Sequence, residues 1–129
     1  MEKRVTGIGG FFFKSKDPQR IKEWYSQHLG LPTDDYGCTF WWQDASGRDC
    51  STQWGPFNEE TTYFAPSKKE FMMNFRVADL ERLLAVLREE GVTVVGEMQV
   101  FDYGKFGWIL DPEGNKLKLW EPVDEAFQR

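Results

Sequence analysis

Phe71-Met72-Met73-Asn74-Phe75-Arg76-Val77 is an unbroken run of strand-forming and long side chains, closed by Ala78-Asp79-Leu80. Aromatic and β-branched residues favour a pleated strand, and an aspartate immediately before a leucine stripe is a helix N-cap. Leu80, Leu83, Leu84 and Leu87 recur at three- and four-residue spacing, and Gly91 supplies the stop. The closing stretch reads Trp108-Ile109-Leu110-Asp111-Pro112-Glu113-Gly114-Asn115-Lys116-Leu117-Lys118-Leu119-Trp120-Glu121-Pro122. Its centre, Pro112-Glu113-Gly114-Asn115, has the chemistry of a turn, so strands are expected over Lys105 to Leu110 and Lys116 to Trp120. Val92 to Val95 reads as a further strand.

The same order appears earlier in the chain. Val5 to Ser15, with Phe11-Phe12-Phe13-Lys14, reads as a strand, and Asp17-Pro18 as a cap and first-turn proline. Ile21, Trp24, Tyr25, His28 and Leu29 then trace an amphipathic helix that Gly30 ends. Tyr36 to Gln43 and Asp49 to Trp54 are strand candidates around the turn-rich Asp44-Ala45-Ser46-Gly47-Arg48, and read as a hairpin. Phe57 to Glu70 has the composition of a linker that can add a short strand. Each half is therefore strand, helix, then about three strands, the pattern of an internal duplication. The expectation is one α+β domain of two βαβββ modules, residues 5–64 and 71–122, with eight strands and two principal helices. Their curved mixed sheets leave a cleft.

Composition narrows the function. The 129 residues carry 21 acidic and 16 basic side chains, net charge -5, with Lys and Arg scattered rather than striped, which makes nucleic acid a poor partner. No apolar stretch approaches the roughly 20 residues needed to cross a bilayer, and Met1 to Gly7 lacks the apolar core of a secretory signal, so a cytoplasmic location is expected. Cys38 and Cys50 read as free thiols, small core residues rather than nucleophiles. Aromatic residues make up 16% of the chain, more than a small core needs, and rings in this number line cavities or interfaces.

Taken together, Asp17-Pro18 with Trp24-Tyr25 and His28-Leu29-Gly30-Leu31, Phe75-Arg76-Val77-Ala78-Asp79-Leu80, and Asp111-Pro112-Glu113-Gly114-Asn115 resemble the glyoxalase, bleomycin-resistance and extradiol-dioxygenase superfamily, the vicinal oxygen chelate fold. The resemblance implies a divalent metal held by four side chains on cleft strands, two from each half. Carried over by position, those places hold Gly10, Met72 and Lys118, with Gln53 or Ser51 as the fourth. Glycine offers no ligand atom, a thioether is a poor donor to hard cations, and an ammonium repels one. No tightly bound metal and no cofactor are expected. The resemblance also implies a homodimer that completes or covers the clefts.

Strand parity then draws a candidate cleft. Met72, Asn74 and Arg76 share one face of their strand, Lys118 and Trp120 lie together by the same parity, and Gly10 lies with Phe12 and Lys14. Phe12, Asn74, Arg76, Trp108, Lys118 and Trp120 are the candidate ligand-binding residues, a mixture of rings, an amide and cations suited to a flat molecule with a polar or anionic group. His28 belongs to a helix end, where it complements the dipole. Gly7-Ile8-Gly9-Gly10 continues into strand rather than opening a helix, which argues against phosphate cradling. Three classes follow: metal-independent binding or sequestration of a small molecule; a superfamily lyase, isomerase or dioxygenase using an atypical site such as Glu97, Asp102, Tyr103 or Lys118; or a structural or protein-binding module.

Overall fold

In the computed structural model, which describes residues 3–127, the aromatic run that opens each half becomes a central strand. Strand β1 (Val5–Ser15) leads into helix α1 (Pro18–Leu29) and strands β2 (Cys38–Gln43) and β3 (Asp49–Asn58). Strand β4 (Phe71–Val77) leads into α2 (Leu80–Glu89) and strands β5 (Gln99–Phe101), β6 (Gly104–Leu110) and β7 (Lys116–Pro122). One turn of 3-10 helix, Asp124–Ala126, follows. No helix among the described residues is long and apolar enough to cross a membrane.

The strands form one open mixed sheet in the order β2-β3-β1-β4-β7-β6-β5. β1 runs parallel to β3 and β4 parallel to β7, while β1 and β4 meet antiparallel at the centre. Both halves thus repeat one arrangement about the β1–β4 pair. The fold is α+β as expected, with two departures in strand content. Val92 to Val95 is not a strand: Gly91 and Gly96 take positive φ on either side, and only an isolated bridge, Val94 to Ile109, forms between them. The edge strand comes instead from Gln99–Phe101. The first half has two strands after its helix rather than three, because β3 continues through Pro56 to Asn58 and residues 59–70 then fold over the sheet without pairing as a strand. Seven strands result where eight were expected.

Local signals place the helices. The Asp17 carboxylate accepts the Arg20 N–H at 3.1 Å, Pro18 occupies the first turn, and Gly30 at φ 72° ends α1. Asp79 caps α2 in the same way through the Arg82 N–H. The β6–β7 turn closes on Asp111, whose carboxylate accepts the Glu113 and Asn115 N–H groups at 2.9 Å each.

Two cores lie on opposite faces of the sheet. On the helical face Leu80, Leu83 and Leu84 of α2 pack with Val77 and Leu119. Gly107 lets the helix approach, since a Cβ there would sit 2.9 Å from Leu84. On the other face Phe64, Met72, Phe106, Trp108 and Trp120 form a second buried cluster. Phe64 comes from the segment between the halves and is fully buried, so that segment walls the open face of the sheet.

Candidate functional site

The floor of the site is set by strand register. Gln53, Gly10, Asn74 and Lys118 are Cα partners in succession on β3, β1, β4 and β7, so they form one row across the four central strands. A register shift between Ile8 and Gly10 inserts Gly9 as an extra residue in β1. Its missing side chain matters, because a Cβ on Gly9 would lie 2.9 Å from Cγ of Asn74. The bulge therefore makes the space that the Asn74 carboxamide fills.

Above this row is a cavity of about 650 Å³ whose walls include Phe12, Tyr63, Tyr103, Phe106, Trp120 and Phe127. Its size and ring lining are those of a small-molecule site. The rim segment containing Asp34, Tyr36 and Gly37 is held by α1: buried Lys22 donates through Nζ to the Asp34 and Asp35 carbonyls at 3.0 and 2.9 Å. Asp34 itself is committed to the loop, accepting the Tyr36 and Gly37 N–H groups at 2.8 Å.

Lys118 carries the positive charge of the cavity. Its ammonium lies 4.4 Å from the Phe106 ring centroid and 5.3 and 5.4 Å from Tyr63 and Phe12, and no carboxylate pairs with it among the described residues. Burial, and secondarily the charge of Lys116, depress its pKa to about 8. Lys116 is partly compensated, since its Nζ donates to the Tyr63 carbonyl at 2.7 Å. Asn74 is 1% exposed and its Oδ1 accepts no hydrogen bond from any described residue. Burial likewise pushes the Tyr63 phenol up to about 12, so it stays protonated at neutral pH.

Phe12, Asn74, Lys118 and Trp120 of the candidate set line this cavity; Arg76 and Trp108 do not. Arg76 is buried beneath it, donating to both Asp124 carboxylate oxygens at 2.8 and 2.6 Å and to the Ser51 carbonyl at 2.8 Å. Its guanidinium lies 5.4 Å from the ring centroids of both Trp42 and Trp120. Burial opposes the charges of this pair, but hydrogen bonding outweighs it: Arg76 is held above its usual pKa and Asp124 below. Trp108 packs into the buried cluster behind Tyr63, ring centroids 6.2 Å apart. Of the acid–base alternatives Tyr103 and Lys118 reach the cavity, whereas Glu97 and Asp102 do not line it. His28 sits on α1 against Trp24. Cys38 and Cys50 are free and buried, opposite Trp54 and Trp42 rather than each other. Sequence reading missed Tyr63, Phe106 and Phe127 as walls; Tyr63 and Phe127 lie outside the strands, where parity gives no signal.

The residues at the superfamily's metal positions do not fit a divalent cation. Met72 is fully buried in the apolar cluster, Gly10 has no donor, and Lys118 brings a positive charge. The Gln53 Oε1 accepts from Thr39 at 2.8 Å, and Ser51 is bound to Asp124. Among the described residues no group of three or more His, Cys, Asp or Glu could hold a metal.

Residues 10–120 match the family model of the glyoxalase-like domain. The chain belongs to the glyoxalase-like domain family. The same fold appears in methylmalonyl-CoA epimerase from Mycobacterium tuberculosis, TM-score 0.63 and 20% identity over 98% of this chain and 94% of that one. A Streptomyces coelicolor methylmalonyl-CoA epimerase superposes with TM-score 0.69 at 16% identity, covering 92% of this domain and 99% of that chain. The Mn(II)-bound glyoxalase from Novosphingobium aromaticivorans matches at TM-score 0.63 and 19% identity, over 93% of this domain and 40% of that longer chain. These place the glyoxalase-like domain in the vicinal oxygen chelate superfamily. No curated protein matches the sequence.

Proposed function

We propose that this domain binds a small, partly aromatic anion in the cavity without a metal. The carrying observation is Lys118, an ammonium enclosed by three rings with no carboxylate partner among the described residues, at the position where the superfamily places an acidic metal ligand. A buried cation without a counter-ion is costly, and an anionic ligand offsets that cost while its flat body stacks on the walls. Charge-assisted hydrogen bonds from the ammonium fix its orientation. The isomerase or lyase alternative is supported by one feature: a lysine with pKa about 8 exchanges a proton near neutral pH.

The test uses phenylacetate and its neutral isostere phenylacetamide, titrated against tryptophan fluorescence with and without EDTA. The wild-type chain should prefer the anion by about tenfold, unchanged by EDTA, and Lys118→Met should abolish that preference. Equal affinity for both ligands in the wild-type protein overturns the reading, and loss of binding in EDTA overturns its metal independence.

A further inference from the structure

Asn74 brings to the cavity floor a buried acceptor that no described residue fills. The Gln53 carboxamide oxygen is occupied by Thr39, and the amide donates toward Ser51 at 3.4 Å. Asn74 Oδ1, by contrast, is buried and accepts nothing from any described residue, although its backbone is paired in the centre of the sheet. An acceptor buried in this way is destabilising unless a donor reaches it. The chain also maintains a structural device to keep it there, since the Gly9 bulge leaves the space the carboxamide fills. Apolar side chains of similar shape would fill that space without the cost.

The acceptor does not stand alone. Asn74 and Lys118 are Cα partners on adjacent parallel strands, about 4.8 Å apart in backbone spacing, and both side chains line the same cavity. One offers a lone pair and the other positively charged N–H groups. A ligand satisfying both must present a hydrogen-bond donor next to an anionic oxygen. A plain carboxylate answers only Lys118, and a plain alcohol answers only Asn74.

Resting on the anion-binding reading and narrowing it, we propose that the ligand is an aryl 2-hydroxy acid: its carboxylate meets Lys118, its hydroxyl donates to Asn74 Oδ1, and its ring lies among Phe12, Phe106 and Trp120. A hydroxyl on the carbon that bears the carboxylate is the smallest group that places donor and anion side by side. A site with an unpaired buried acceptor discriminates strongly against analogues lacking the donor, because binding such an analogue leaves the acceptor unpaired.

Mandelate, phenylacetate and 2-methoxy-2-phenylacetate test this by fluorescence titration and calorimetry. The first carries the hydroxyl, the second lacks it, and the third keeps the oxygen without its proton. The wild-type protein should bind mandelate about tenfold or more tighter than either analogue. Asn74→Leu should reduce that ratio to near one. Asn74→Asp, which keeps shape and an acceptor but places a carboxylate beside Lys118, should weaken all three acids. Equal wild-type affinity for the three acids overturns the assignment of Asn74 and leaves the anion site intact. Absence of binding by all three at millimolar concentration overturns both readings. The wild-type series decides the matter even where a variant does not fold.

Discussion

Asp124 reaches back from the turn after the last strand to Arg76 at the centre of the sheet, with hydrogen bonds of 2.8 and 2.6 Å and a further 2.8 Å bond to the Ser51 hydroxyl. The pair is almost wholly buried, with 6% and 9% of the two side chains exposed. It fixes the segment carrying Phe127, whose ring meets Trp120 edge-on at the wall of the cavity.

Asp124→Asn is therefore expected to cost about 3 kcal/mol, because it leaves the guanidinium buried without its counter-ion. Chemical denaturation measures this. The Asp124 pKa is lowered on folding, so the pair contributes its stability above the ordinary carboxylate pKa and loses it as pH falls through the lower folded value. The variant should show a flatter acid limb below about pH 4 than the wild-type chain.

Anion binding should depend on pH through Lys118. Only the ammonium attracts the ligand, and its pKa is about 8. Affinity for phenylacetate is expected to be level from about pH 6 to 7.5 and then to fall about tenfold per unit above pH 8, as the charge is lost. A level profile to pH 10 would remove Lys118 from the binding reaction.

The same lysine should be a burden to the empty protein. Lys118→Met replaces an enclosed cation with an apolar chain of similar length, and a gain of about 1–3 kcal/mol in unliganded stability is expected. Folding depresses this pKa, so the unfolded chain binds the extra proton between about pH 8 and 10.5, and wild-type stability rises across that window. The variant should lack the rise, which thermal melts at several pH values can follow.

Gly9→Ala tests the bulge. The added methyl would lie 2.9 Å from Cγ and 3.0 Å from both terminal atoms of the buried Asn74 carboxamide. A loss of about 1–3 kcal/mol is expected together with weaker ligand binding, from displacement of the carboxamide.

We also propose that the chain pairs as a homodimer. On the helical side of the two central strands Ile8, Phe11 and Phe71 remain 45%, 39% and 40% exposed, with Phe11 and Phe71 stacked at 6.1 Å. Light scattering across a dilution series should give twice the chain mass at micromolar concentration, and Phe11→Lys should halve it.

The helix caps and most of the strands were legible in the sequence because their causes are local: Asp17 and Asp79 bond within one turn, and Asp111 closes its own loop. Parity also placed Phe12, Asn74, Lys118 and Trp120 at one cavity. It failed to separate Asn74 from Arg76, two residues apart on one face, because the difference lies in Asp124, a partner remote in sequence and beyond the last strand. Nor did parity show that Trp108 stands behind the cavity wall, since Tyr63 and Phe64 pack against it from the connecting segment. Val92 to Val95 had strand composition but too little length between two left-handed glycines to join the sheet.

The row Gln53, Gly10, Asn74, Lys118 reads the same from either end in strand position, yet its chemistry does not. One half ends in a neutral amide already satisfied by Thr39, and the other in an ammonium beside an unused acceptor. A scaffold built by repetition has in this way acquired polarity. A molecule lying along the floor has a head and a tail, and a carbon bearing four different groups between them meets a handed surface, so one mirror image of such a ligand is held more tightly than the other.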